Sequence, residues 1–243
     1  MGHNISMRSS VKNSEWLPTE ARPLSAQIKG IVFDLDQTLV DSQELVLKAF
    51  QHALADFGIP ITLDDIEQIR AKSSSDLFAH FLKPEDAKAA LQKLWKYSEE
   101  NAHKARIFPG LVEILHSLHA LKTPMAVWTA RDLRSAVKIL EANKISHLFC
   151  AVVAACDVVK NKPHPEGLLK ISEMHLEIPP HELLMVGDHA HDITGAKSAG
   201  ALSGAAGWST NAVSDAQLQE KPDFVFDEVS DFHCWVKLFT QGM

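Results

Sequence analysis

The sequence predicts an α/β fold: a parallel sheet covered by helices, with a small all-helical domain inserted after the first strand. Three observations carry this. From residue 108 onward, short apolar runs alternate with segments of helical periodicity, as in a parallel sheet covered on both faces. Residues 43–106 read as helix alone. The apolar runs end in reactive side chains, and in such sheets ligands bind at the carboxyl ends of the strands.

The elements follow in order. Ile28 to Asp36 reads as a buried strand with an acidic end. After Ser42 the period changes: Val46, Ala49, Phe50, Ala53, Leu54 and Phe57 recur at helical spacing, and Gly58 closes the run. Helices are expected at 63–70, 75–82 and 84–104. The last has Pro84 at its start and Ala87, Leu91, Leu94, Trp95 and Ser98 on one face. The alternation then begins at Phe108-Pro109-Gly110. Helices 110–121, 132–143, 164–174 and 190–199 lead to strands at 125–129, 151–154, 183–188 and 201–207, and a last short strand follows at 224–226. The resulting division is a tail over 1–27, a core over 28–42 and 107–243, and a helical cap over 43–106.

Composition narrows the function classes. The 243 residues are 46% hydrophobic and 23% charged, an ordinary globular balance that excludes whole-chain disorder. A chain this long buries roughly 70–75% of its unfolded surface without needing a staple. No apolar run reaches the ~18 residues of a membrane span, so no membrane partner is expected. Twenty-four Lys and Arg against 31 Asp and Glu leave a net charge of −7, which argues against nucleic acid. An anionic substrate would need a local cation. Cys150, Cys156 and Cys234 form no CxxC, which fits free thiols in a reducing cytosol. The first 27 residues lack the apolar stretch of a signal peptide, so a cytoplasmic location is expected. Met1–Ser6 fits the short myristoylation pattern, but a frayed tail is the expectation.

Three strand ends and one loop should meet in one cleft. The first strand ends Asp34-Leu35-Asp36-Gln37-Thr38, the second Trp128-Thr129, the third Gly187-Asp188 with Asp192 four residues on; Lys162 stands before the third. Asp34, Asp36, Asp188 and Asp192 crowd negative charge, which is costly unless a cation is bound. All-oxygen ligation selects a hard ion, Mg²⁺ above all. Mg²⁺ and Lys162 would together receive a phosphate, and Thr129 with the N–H groups after it would donate to phosphate oxygens. A carboxylate can attack to form an aspartyl phosphate, and a second carboxyl two residues on can shuttle protons. Each piece alone is ordinary. Asp-x-Asp is commonly a solvated loop, a Lys before Pro a surface residue and Gly-Asp a turn; the set of four, in this order, is not.

On these residues the sequence resembles the haloacid dehalogenase (HAD) superfamily over about 28–230. The helical insert, Val40-Asp41-Ser42 and Phe108-Pro109-Gly110 resemble the subgroup of phosphoglycolate phosphatase and β-phosphoglucomutase. The resemblance implies a three-layer Rossmann-like core and hydrolysis of a small phosphorylated metabolite, by a monomer or homodimer. It implies that Asp34 is the nucleophile and Asp36 the general acid/base. Mg²⁺ would be held by Asp34, the Asp36 carbonyl, Asp188 and Asp192, the last through water. The phosphoryl group would lie on Thr129 and Lys162, with Thr38, Ala130, Arg131 and Lys72 as further substrate contacts.

There are departures. Gln37 stands where a glycine is common, and Ala71-Lys72-Ser73 lacks the glycine frequent in the cap's specificity loop. Arg131 has a rival role in capping or surface pairing. His189 and His191 are read as partly exposed loop residues rather than ligands, and Trp128 as core. The alternatives are a phosphosugar mutase on the same scaffold and a catalytically silent binding module. Silence would predict a lost nucleophile, lysine or metal aspartate, and none is lost. C–halogen and phosphonate cleavage are disfavoured because, by resemblance, those branches lack an aspartate at the position of Asp36. In the mutases, a histidine about one turn into the first cap helix restrains the counterpart of Asp36. Val46 falls there, so Asp36 is expected to be unrestrained and the product to be inorganic phosphate.

Overall fold

A computed structural model describes residues 28–69, 78 and 81–241. Six parallel strands form one sheet: β1 (Gly30–Phe33), β4 (Met125–Trp128), β5 (Ala151–Val153), β6 (Leu183–Gly187), β7 (Leu202–Ala206) and β8 (Phe224–Phe226), in the spatial order β5-β4-β1-β6-β7-β8. The order reverses at β1 and β6, whose carboxyl ends therefore flank a crevice. Asp34 follows β1 and Asp188 follows β6.

Strand alternation feeds two cores. Ile31 and Phe33 pack on one face of the sheet, and Val32 packs on the other with Trp128. The first face is covered by α4 (Leu111–Ala120), α5 (Leu133–Ala142) and α9 (Val229–Gln241), the last delivering Phe232 to 5.9 Å from the Phe33 ring. The second is covered by α6 (Glu166–Lys170) and α7 (Ala190–Ala199). Gly167 is required here: a Cβ on it would lie 2.1 Å from the Trp128 indole nitrogen. The helix expected over 164–174 is α-helical only to Lys170 and continues as a π-helical stretch, Ile171–Leu176. Two helices carried no expectation, α8 (Asp215–Gln219) and α9.

The helical segment enters and leaves through paired strands. β2 (Val40–Asp41) runs antiparallel to β3 (Arg106–Ile107), with Val40 opposite Ile107 and Asp41 opposite Arg106. Arg106 is thus in a strand, where helix alone was expected through 106. Between them lie α1 (Gln43–Leu54), α2 (Leu63–Ile69) and α3 (Pro84–Glu100). Ala49, Phe50, Ala53, Leu54, Ile66, Phe78, Ala90 and Leu94 make a separate apolar cluster, against which half-buried Val46 packs. Trp95, expected on the buried face of α3, is 38% exposed, whereas Ala90 is fully buried. At 3.6 residues per turn, Trp95 falls roughly 80° from Ala87, at the edge of the stripe. The helix expected over 75–82 lies mostly outside the described residues. Among the described residues no helix is long and apolar enough to cross a membrane.

Candidate active site

The loop after β1 is a tight turn anchored on its own backbone. Leu39 N–H and Val40 N–H both donate to Leu35 O, and Gln37 N–H donates to Val40 O at 2.8 Å. Gln37 sits in the left-handed region, at φ 63°, which explains why glycine suits this position. The glutamine brings a compensation. Its hydrogen-bonding pattern assigns the amide oxygen towards α1, where it accepts from Ser42 N–H at 3.0 Å and Gln43 N–H at 2.8 Å. The turn is also tied to the core by Trp208, whose indole N–H donates to Thr38 O at 2.9 Å.

Lys162 is the centre of the site. Its ammonium donates to Asp34 Oδ1 at 2.7 Å, Asp192 Oδ1 at 2.6 Å and Trp128 O at 2.6 Å. It also stands 4.8 Å from the Trp128 ring centroid. Trp128 is core, as expected, but it additionally aims the lysine, a role that burial alone does not reveal. Burial by itself would lower the Lys162 pKa; Asp192 and Asp34 outweigh it and hold the ammonium charged. Asp192, on the first turn of α7, receives His189 N–H at 3.1 Å on its other oxygen. It fits because residue 187 is glycine: a Cβ there would lie 2.3 Å from the Asp192 carboxyl.

Asp34, Asp188 and Asp192 present carboxylate oxygens within 4.8 Å of one another. Asp188 also accepts from Thr38 Oγ1 at 3.0 Å. Burial raises the Asp34 pKa well above the usual carboxylate range; Lys162 opposes this, and Asp192, Asp188 and Asp36 push it further up. Among the described residues the four carboxylates, when ionised, face two cations, Lys162 and Arg131, and a divalent ion would offset the remaining negative charge. The oxygen-only donor set suits Mg²⁺.

Asp36 is held, contrary to the expectation drawn from Val46. Arg131 grips it bidentately, Nε to Oδ2 at 2.9 Å and Nη2 to Oδ1 at 2.6 Å, and Ser42 Oγ donates to Oδ1 at 2.5 Å. The restraint comes from the loop after β4 and from the entry to α1, not from the helix position read in the sequence. Thr129 Oγ1 accepts Arg131 N–H at 3.1 Å, which leaves its hydroxyl hydrogen free to donate. Ala130 is exposed at the same loop. His189 and His191 are half-buried with ring centroids 4.6 Å apart, and burial lowers the His191 pKa. Lys72 lies outside the described residues. Beside Asp188, a cavity of about 430 Å³ is lined by Gln37, Gln43, His189, Ser209, Thr210 and Ser214 among others. Residues 209–214 carried no expectation, because a polar loop after a strand has no distinguishing pattern.

Known proteins resemble this chain in sequence and fold. Residues 31–206 match the family model of haloacid dehalogenase-like hydrolases. Pyrophosphatase PpaX of Bacillus cereus strain G9842 is 30% identical over 210 residues, covering 84% of this chain and 94% of its own. The crystal structure of a predicted phosphoglycolate phosphatase from Haemophilus somnus superposes with TM-score 0.76 at 26% identity, covering 86% and 98% of the two chains. CbbY from Rhodobacter sphaeroides, solved in complex with phosphate, shares the fold at TM-score 0.73 and 19% identity, over 84% and 96% of the chains. By sequence match, fold and site together, the chain belongs to the haloacid dehalogenase-like hydrolases.

Proposed function

We propose that this enzyme is a Mg²⁺-dependent phosphatase that hydrolyses a small phosphorylated metabolite through an aspartyl phosphate on Asp34. The observation that carries the reading is Asp34, Asp188 and Asp192 gathered within 4.8 Å around the Lys162 ammonium. Asp34, the Asp36 carbonyl and Asp188 would hold the metal, with Asp192 behind them. When bound, Mg²⁺ supplies positive charge that keeps Asp34 ionised and offsets the charge of the phosphoryl oxygens.

The chain's own residues supply the rest. Lys162 and the Thr129 hydroxyl bind the phosphoryl oxygens and orient phosphorus towards Asp34. An Asp34 oxygen attacks phosphorus, the bond to the leaving oxygen breaks, and protonated Asp36 gives that oxygen its proton. Asp36, now ionised, takes a proton from water as the water attacks phosphorus. The bond to Asp34 then breaks and inorganic phosphate leaves. Segment 43–106, joined to the core by β2 and β3, serves as a cap that excludes water and selects the substrate.

The relatives bear on the substrate class. The Bacillus proteins are named for pyrophosphate and the Haemophilus one for phosphoglycolate, both small phosphorylated anions. The test is a screen of purified enzyme against a panel of phosphorylated metabolites that includes both, with phosphate release measured with and without EDTA. The reading expects release from at least one small phosphate compound, abolished by EDTA. No release from any member, or release undiminished by EDTA, would overturn it. The restraint found on Asp36 favours a second reading, a phosphosugar mutase, since a mutase must keep its phosphoenzyme from water.

A further inference from the structure

We propose that Arg131 is a positioning residue that releases Asp36 only in exchange for a second anionic group on the substrate. The inference rests on the phosphatase reading and deepens it. Asp36 must reach the leaving oxygen, yet both of its carboxylate oxygens are engaged, Oδ2 by Arg131 Nε and Oδ1 by Arg131 Nη2 and Ser42 Oγ. A carboxylate gripped on both oxygens by a bidentate fork is fixed to the loop after β4, so the grip must open before Asp36 can serve the leaving group.

Letting go has a cost that falls on Arg131. Its side chain is only 7% exposed, and a buried cation stripped of its partner is strongly unfavourable. Another anion has to take the place of Asp36. The guanidinium is equipped for this: its planar fork binds carboxylate and phosphoryl groups equally well, and among the described residues Nη1 has no hydrogen-bond partner, so donors remain for an incoming group. The location also fits. A side chain hydrogen-bonded to the acid that touches the leaving oxygen lies beside whatever that oxygen carries. Thr129 fixes the Arg131 backbone through its own Oγ1, so the same loop would hold the phosphoryl group and read the substituent next to it.

The class of substrate follows: a phosphate ester or anhydride whose leaving group bears a carboxylate or second phosphoryl group close to the scissile oxygen. An ester with a neutral tail leaves Asp36 locked or Arg131 unpaired, and turns over slowly.

The test pairs two ligands of similar size, with and without the second charge, in two experiments on the Mg²⁺-loaded enzyme. Hydrolysis compares 2-phosphoglycolate with ethyl phosphate. Binding, by calorimetry, compares the non-hydrolysable phosphonoacetate with ethylphosphonate. The wild type should favour the doubly anionic member by roughly 10–100-fold in kcat/KM and by tenfold or so in affinity. Arg131→Met, which keeps the apolar stem, should bring both ratios to near one. Arg131→Lys, which keeps the charge but not the fork, should retain part of each, and it serves if the methionine variant does not fold. Ratios that survive in Arg131→Met, ratios undiminished in Arg131→Lys, or a wild type with no preference would overturn the proposal. An Arg131-dependent binding preference together with no phosphate release from any member of the metabolite panel would strike down the phosphatase reading and uphold Arg131 as the anion site.

Discussion

The Lys162 ammonium stands 2.7 Å from Asp34 Oδ1, so the cation assigned to receive phosphate is already paired with the carboxylate assigned to attack it. Asp192 completes the arrangement at 2.6 Å. On the proposed mechanism the lysine would do two jobs, balancing the carboxylates at rest and meeting the phosphoryl group in turnover. Lys162→Met should separate them. Removing one preorganised charge contact costs about 10²–10³ in kcat. Leaving Asp34 and Asp192 without their buried partner should cost about 3–5 kcal/mol of stability. Urea denaturation of the metal-free variant measures the second effect, and the loss should shrink when Mg²⁺ is added. Wild-type stability in the variant would mean that the ion pair is incidental.

Metal binding should be visible without activity and should depend on pH with a definite sign. The native Asp34 pKa is raised, so between the unfolded and folded values the native state holds the extra proton. Metal-free stability from this group is full at low pH and is lost as pH rises through the folded value. Mg²⁺ must displace that proton when the site is protonated and meets an ionised carboxylate when it is not. The Mg²⁺-induced rise in Tm should therefore be larger at pH 8 than at pH 5. A rise that is equal at both, or larger at pH 5, would detach the metal from Asp34.

Gln37 permits a comparison of strain against capping. Holding a non-glycine residue at φ 63° costs about 1–2 kcal/mol, and two accepted N–H bonds at the start of α1 return a similar amount. Gln37→Ala keeps the strain and loses the bonds, so it should destabilise by about 1 kcal/mol or more. Gln37→Gly loses both and should lie close to wild type. Urea midpoints of the three proteins decide it; an alanine variant as stable as the wild type would show that the amide caps nothing.

Much of this site is legible in the sequence, and the reason is topological. Asp34, Thr129 and Asp188 each follow an apolar run that alternation marks as a strand, and parallel strands bring their ends to one edge. Lys162 was legible only as part of the set. The partners of Asp36 were not legible: Arg131 lies 95 positions away, and nothing in its neighbours distinguishes a residue that reaches across the cleft from one that faces water. Ser42 likewise reads as a plain helix start. The α9 helix escaped because its apolar residues Phe232, Val236 and Phe239 follow the last strand, where no further alternation draws attention. Trp95 was misplaced because a large apolar side chain at the edge of a stripe looks, in one dimension, like part of it.

The restrained Asp36 bears on phosphatase against mutase. An arginine that yields to an anion releases the acid/base for water as soon as a small substrate has docked, whereas a mutase needs it withheld until a sugar phosphate returns. With β-glucose 1-phosphate and catalytic glucose 1,6-bisphosphate, free phosphate should form faster than glucose 6-phosphate. The reverse order would promote the mutase reading.

Asp36→Asn should separate the proton-transfer role from a structural one. Positioned acid/base catalysis is worth roughly 10²–10⁴-fold. The loss should be large for 2-phosphoglycolate, whose alkoxide leaves poorly, and smaller for p-nitrophenyl phosphate, whose phenolate needs little protonation. Equal losses would reduce Asp36 to a partner for Arg131.

Acid-quenched turnover followed by peptide mass spectrometry reads the covalent step proposed on Asp34. During steady hydrolysis in Mg²⁺, the peptide containing Asp34 should carry a phosphoryl group that is lost on treatment with hydroxylamine. In Asp34→Asn the adduct and the turnover should vanish together while the fold, followed by circular dichroism, persists. Turnover by Asp34→Asn, or a phosphoryl group found on a different side chain, would contradict the account.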